Sequence, residues 1–191
     1  MSLKVKRPHP TRSARALFER AHVGAFELDN RIAMAPLTRN RACPGLVPGP
    51  YAVDYYAQRA SARLIITEAT QVSAQAQGYA DTPGCYTDDQ VRGWRRVVDA
   101  VRAEGGTIVV QLWPTGRVSH TSFQKDVQAP VGPSAVRANT ETFVVGQGFV
   151  DVSPPRARRP DEVPGIIEQF RFTSARAIEA GFDVLEVLRM S

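Results

Sequence analysis

The sequence predicts an α/β fold whose parallel sheet has the strand count of the N-terminal half of a (β/α)8 barrel. Three observations lead there. Short β-rich apolar runs recur at about 31–35, 64–67, 107–112 and 182–187, and the clearest of them lacks the alternation of a half-exposed strand, as strands buried on both faces do. Segments of helical period separate the runs, and strands and helices in series form right-handed βαβ units with their loops gathered at one sheet edge. A closed barrel takes about 250 residues and eight strands, whereas these 191 residues supply four strands.

Composition narrows the class. With 43% hydrophobic residues the chain can bury a sizeable core, and its length fits about one domain. The net charge of +5 comes mainly from Arg interleaved with acids, and no nucleic-acid motif accompanies it. No apolar run approaches the roughly 20 residues that cross a bilayer, so a soluble protein without membrane partners is expected. Cys43 and Cys85 lie far apart, with no metal-site spacing and too few thiols for a disulfide framework. A reduced, cytoplasmic compartment fits them.

Residues 1–15 include Lys4, Lys6, Arg7, Arg12 and Arg15 and read as a basic disordered arm. The domain is then 16–191. Residues 16–30 set Leu17, Phe18, Val23, Phe26 and Leu28 among turn formers, as a short lid or hairpin does. The first strand stops at Pro36 and opens into a loop rich in Arg, Gly and Pro. A helix over 51–62 precedes the second strand, which ends in Glu68, Ala69 and Thr70. After a loop with Gly78, Pro83 and Gly84, Thr87 and Gln90 form a capping box, and Val91, Trp94, Val97, Val98 and Val101 make one apolar stripe that Gly105 terminates. The third strand carries Gln111 near its end. Residues 118–160 form a long capping excursion, with a hairpin predicted from 142–145 and 149–152, and such excursions are more often binding loops than connectors. Asp161 is expected to cap a helix over 162–180, with Val163, Ile166, Ile167, Phe170, Ala177 and Ile178 buried. The fourth strand closes the series.

Three strand ends thus converge on one edge, where α/β sheets bind ligands. Pro36, Leu37 and Thr38 follow the first strand, Ala69 the second, and Gln111 and Trp113 end the third. A Gln amide matches the alternating N–H and C=O edge of a uracil-like ring, or equally serves as a buried tie between strand ends. Trp113 and Tyr79 offer flat walls with polar tips, or plain packing.

The stretches NRIAMAPLTR (30–39), YYAQRAS (55–61), LIITEATQVSAQAQGYADTPGCYTDDQVRGWRRVVDAV (64–101), IVVQLW with GRVSH (108–113, 116–120), GFVDVS (148–153) and IEAGFDVLEV (178–187) resemble, in order and spacing, the old yellow enzyme family of flavin-dependent ene-reductases. The likeness is greatest to the bacterial N-ethylmaleimide reductase-like branch that reduces maleimides and nitrate esters. The resemblance implies an FMN-binding (β/α)8 barrel in which NAD(P)H is the reductant and an activated alkene or similar electrophile the substrate. It implies that Pro36, Leu37, Thr38 and the Ala69 backbone contact the isoalloxazine and Gln111 its pyrimidine edge, while Tyr79 and Trp113 wall the substrate pocket. No catalytic residue is assigned. The family reads QLWH where this chain has Pro114, and its fourth strand runs into His-Gly-Ala-His or His-Gly-Ala-Asn, which hydrogen-bonds the substrate. An ungapped continuation puts Leu188 and Ser191 at those two positions and leaves the family's proton-donating Tyr without a counterpart. The expectation is a truncated barrel with impaired activity, whose exposed sheet edges invite self-association. The alternative is a non-enzymatic half-barrel or interaction module.

Overall fold

A computed structural model of the chain describes residues 15–188. Nearly all of the predicted basic arm lies outside that range. The domain begins with an antiparallel hairpin of β1 (Ala21–Val23) and β2 (Phe26–Leu28). Then β3 (Ala33–Met34) is only two residues long. Pro36, which has no amide hydrogen for a ladder, follows it closely.

Helix α1 (Pro50–Ala57) starts with Pro50 in its first turn, where the missing N–H costs nothing. The predicted helix over 51–62 is therefore shorter at its carboxyl end, where a separate 3-10 turn, Ala60–Ala62, takes over. Strand β4 (Leu64–Ile66) follows, and after a break at residues 67–69 the chain resumes sheet pairing as β5 (Thr70–Gln71). Helix α2 (Asp88–Ala103) has the predicted capping box. The Thr87 hydroxyl accepts from the Gln90 amide, and the Gln90 side chain accepts from the Thr87 amide. All five residues of its apolar stripe are buried, and Trp94 donates its indole N–H to the Gly84 carbonyl at 3.0 Å. Gly105, at φ +75°, supplies the left-handed residue that ends the helix.

Strand β6 (Thr107–Trp113) is the longest and sits inside the sheet. The excursion contributes β7 (Val131–Gly132), the hairpin β8 (Glu141–Val144) and β9 (Gly148–Asp151), and β10 (Arg156–Ala157), which pairs in parallel with β7. Helix α3 (Val163–Ala180) and β11 (Val184–Val187) complete the order. The main sheet runs β11-β6-β4-β3, all parallel, with β5 beside the end of β6.

Two expectations about α3 are corrected. Asp161 does not cap it: Pro160–Glu162 is a 3-10 turn, and the Asp161 carboxylate pairs with Arg159 at 3.1 Å. Nor are all six predicted stripe residues buried. Ala177 is, Ile166 and Phe170 are half-buried, and Val163, Ile167 and Ile178 are exposed. The buried face is instead made of Thr173, Ala177 and Ala180, small residues that let the helix approach its neighbours closely, with the Thr173 hydroxyl on the Val72 carbonyl at 2.8 Å. Helical period locates a stripe, but the neighbours decide which residues it buries.

The core lies between the helices and one face of the sheet. Ile65, Ile108, Val110 and Leu112 point to it and meet Tyr56, Trp94, Val97, Val98 and Val101. Because side chains alternate along a strand, Val109, Gln111 and Trp113 stand on the other face of β6. That second face carries the polar groups.

Candidate functional site

Parallel register decides what Gln111 meets. Its partner on β11 is Glu186, and paired residues in a parallel ladder project to the same side. Gln111 Nε2 accordingly donates to Glu186 Oε2 at 3.1 Å, and the Gln111 backbone amide donates to the Thr67 hydroxyl at 3.3 Å. The Gln111 residue is 6% exposed. One N–H of its amide is committed to Glu186, which leaves the amide oxygen as an acceptor and the second N–H as a donor for a ligand.

Trp113, also 6% exposed, lies under Tyr79, with ring centroids 5.7 Å apart and planes only 6° from parallel. Its indole N–H is buried without a hydrogen-bond partner among the described residues. The two predicted wall residues therefore form one stack. Tyr79 is held there by the loop before it. Thr115 donates to the Ala76 carbonyl, Ser119 and Gln124 to the Gln77 carbonyl, and Thr142 of β8 to the Gly78 carbonyl. At Gly78 a Cβ would come within 2.2 Å of the Val118 carbonyl oxygen, so only glycine fits. The excursion thus anchors the loop that carries Tyr79.

Leu37 and Thr38 line an open cavity of 780 Å³ with Arg39, Arg41, Cys43, Tyr51 and Tyr55. Pro36 is half-buried beside them, and Leu37 is 62% exposed. Ala69 is buried in the break between β4 and β5 and does not line that cavity, and neither do Gln111, Tyr79 or Trp113. The structure therefore gathers the predicted residues in two groups, Leu37 with Thr38 and Tyr79 with Trp113, with Gln111 on the strand that ends in Trp113.

Several polar residues at these strand ends were not singled out from sequence. Arg39 donates from Nε (3.0 Å), Nη2 (2.6 Å) and its backbone amide (3.1 Å) to the Glu68 carboxylate, with the side chains 9% and 3% exposed. The Arg39 guanidinium also lies over the rings of Tyr55 and Tyr56, at 4.2 and 4.8 Å from their centroids. The Tyr56 hydroxyl accepts from the Glu68 amide at 2.8 Å. Burial first, and the nearby Glu68 charge second, push the Tyr56 phenol well above its usual range, so it stays protonated. A charge directly after the β-rich run 64–67 was the available signal for Glu68, as a lone acid inside VLEV was for Glu186.

A parallel α/β sheet that sets a buried amide, an aromatic stack and a cavity-lining hydroxyl along its strand ends belongs to the class of sheets that present ligands at a carboxyl edge. The comparisons specify which. A model described as the NADH:flavin oxidoreductase / NADH oxidase family matches residues 16–190, and the chain belongs to that family. It is 45% identical over 166 residues to 12-oxophytodienoate reductase 1 of Oryza sativa subsp. japonica, a match covering 86% of this chain and 42% of that protein. Morphinone reductase solved in complex with tetrahydroNAD superimposes with a TM-score of 0.86 at 51% identity, covering 90% of this chain and 48% of that one. The old yellow enzyme homologue from Zymomonas mobilis gives 0.85 at 40% identity, with 90% and 48% covered. The chain spans about half the length of the relatives it matches.

Proposed function

We propose that this chain forms the N-terminal half of an FMN-binding (β/α)8 barrel that works as an NAD(P)H-dependent oxidoreductase of the ene-reductase type. The observation that carries this reading is the placement of Thr38, Ala69 and Gln111 after or at the end of β3, β4 and β6, the strand ends to which the family resemblance assigns flavin contacts. The chemistry of these groups fits a flavin ring. Gln111, with one Nε2 hydrogen held by Glu186, keeps an oxygen that would accept from an imide N–H and a second N–H that would donate to the ring carbonyl beside it. Pro36, Leu37 and Thr38 supply one side of the ring site, with the Thr38 hydroxyl as a donor to a ring carbonyl, and the Ala69 backbone supplies its edge. Tyr79 and Trp113 form a wall of the substrate pocket, and the excursion with β8 and β9 caps it. FMN, when bound, supplies hydride transfer between NAD(P)H and an activated alkene.

The resemblance assigns the substrate's hydrogen-bond donor to the position of Leu188. The Leu188 amide continues the pairing of β11 with the Leu112 carbonyl at 2.9 Å, and its side chain has no proton to donate. Alkene reduction by this chain is therefore slow even when FMN is in place. A second reading, self-association, rests on the exposed Ile167 and Ile178 of α3 and Val187 of β11, the first strand in the sheet order of the described residues. The test of the first reading is the visible absorbance of the purified chain mixed with FMN and passed over a sizing column. Weak binding is the expected result, seen as substoichiometric flavin running with the protein and bleached by NAD(P)H, and a colourless protein peak would sink the reading.

A further inference from the structure

We infer that the buried Arg39–Glu68 pair is a positioning clamp that holds the loop after β3 and the end of β4 in the geometry the flavin site needs. The inference rests on the flavin reading above and adds residues to it. Each member of the pair is one residue away from a proposed ligand contact: Arg39 follows Thr38, and Glu68 precedes Ala69. Both Glu68 oxygens are used, Oε1 by the guanidinium and Oε2 by the Arg39 backbone amide. The last bond matters most for position. It ties the main chain beside Thr38, and not merely a side chain, to the neighbouring strand end.

The rest of the site makes the clamp rigid. The Glu68 amide donates to the Tyr56 hydroxyl, and the Glu68 carbonyl accepts from the hydroxyls of Thr67 and Thr70 at 3.0 and 2.9 Å. The Arg39 guanidinium carbon lies 4.2 and 4.8 Å from the ring centroids of Tyr55 and Tyr56 of α1, which meet each other edge to face at 5.1 Å. A charged pair so deeply buried is a poor device for stability alone, because apolar residues of similar volume often stabilise as well or better. A planar guanidinium fork fixed on a carboxylate does set direction, and lysine cannot replace it.

Three variants test this on the full chain: Arg39→Lys, Glu68→Gln, and the apolar double replacement Arg39→Met with Glu68→Leu. Melting temperature, FMN affinity by fluorescence quenching, and amide hydrogen exchange without FMN are read on each. A positioning role predicts faster exchange confined to residues 36–39 and 68–70 in Arg39→Lys. It also predicts FMN affinity weakened by about tenfold or more in all three, even where the double replacement melts as high as the unmodified chain. Unmodified affinity in a stably folded double replacement would overturn the clamp, as would unchanged exchange in Arg39→Lys. If the unmodified chain binds no FMN, the flavin reading itself fails, and the exchange of the two loops alone decides whether the pair positions them.

Discussion

Gln111 shows how a single residue takes its role from its register. Opposite Glu186 one of its amide N–H groups is occupied, so Gln111→Leu removes both the proposed acceptor and the partner of a carboxylate. We expect loss of FMN binding with the fold retained, at a stability cost of about 1–3 kcal/mol, checked by fluorescence quenching and circular dichroism. The two thiols differ in the same residue-level way. Burial pushes Cys85 up to about 12, whereas Cys43 lines the open cavity. At pH 8 a maleimide should therefore label Cys43 in the folded chain and Cys85 only after unfolding, as peptide mass mapping would show. Glu162 is opposite in sign. Its hydrogen bond from Arg156, then that from the Arg159 amide, holds it at about 2 against the usual 4.5. Its contribution to stability is complete above pH 4.5 and is lost as pH falls through about 2. Protection from hydrogen exchange over 156–162, taken relative to the intrinsic rate at each pH, should fall across that window, and Glu162→Gln should remove that pH dependence.

At the scale of elements, α2 was legible almost to its ends because its signals are local. Capping box, period and terminal glycine all act within a few residues, so Thr87→Ala is expected to cost about 1 kcal/mol in thermal unfolding. The other elements depend on partners. Pro36, which cannot donate to a ladder, follows the two residues of β3 that pair with β4, and β5 exists because residues 70–71 fall beside the end of β6, a coincidence of register that no local pattern announces. Punctuation by Pro and Gly predicts a capping loop over 118–160, but its hydrogen bonds to the Gln77 and Gly78 carbonyls, which position Tyr79, come from tertiary placement. Gly78→Ala tests that placement. The clash with the Val118 carbonyl should cost about 1–3 kcal/mol and disturb the Tyr79–Trp113 stack, visible in near-ultraviolet circular dichroism.

For the whole molecule, the exposed Ile167, Ile178 and Val187 give the association prediction its scale. Light scattering across a concentration series should show mass rising above that of one chain, and Ile167→Glu with Ile178→Glu should return it to one. The sequence by itself determined the parallel α/β class, the order of strands and helices and the family, because apolar period, capping residues and motif spacing are written along the chain. It could also name Thr38, Ala69, Gln111, Tyr79 and Trp113 as candidates. Only the tertiary structure decided that Gln111 meets Glu186, that Tyr79 lies flat on Trp113, that Arg39 closes on Glu68, and which face of α3 is buried. Those outcomes join residues 29 to 101 positions apart, and local pattern does not encode the register and packing that bring such residues together.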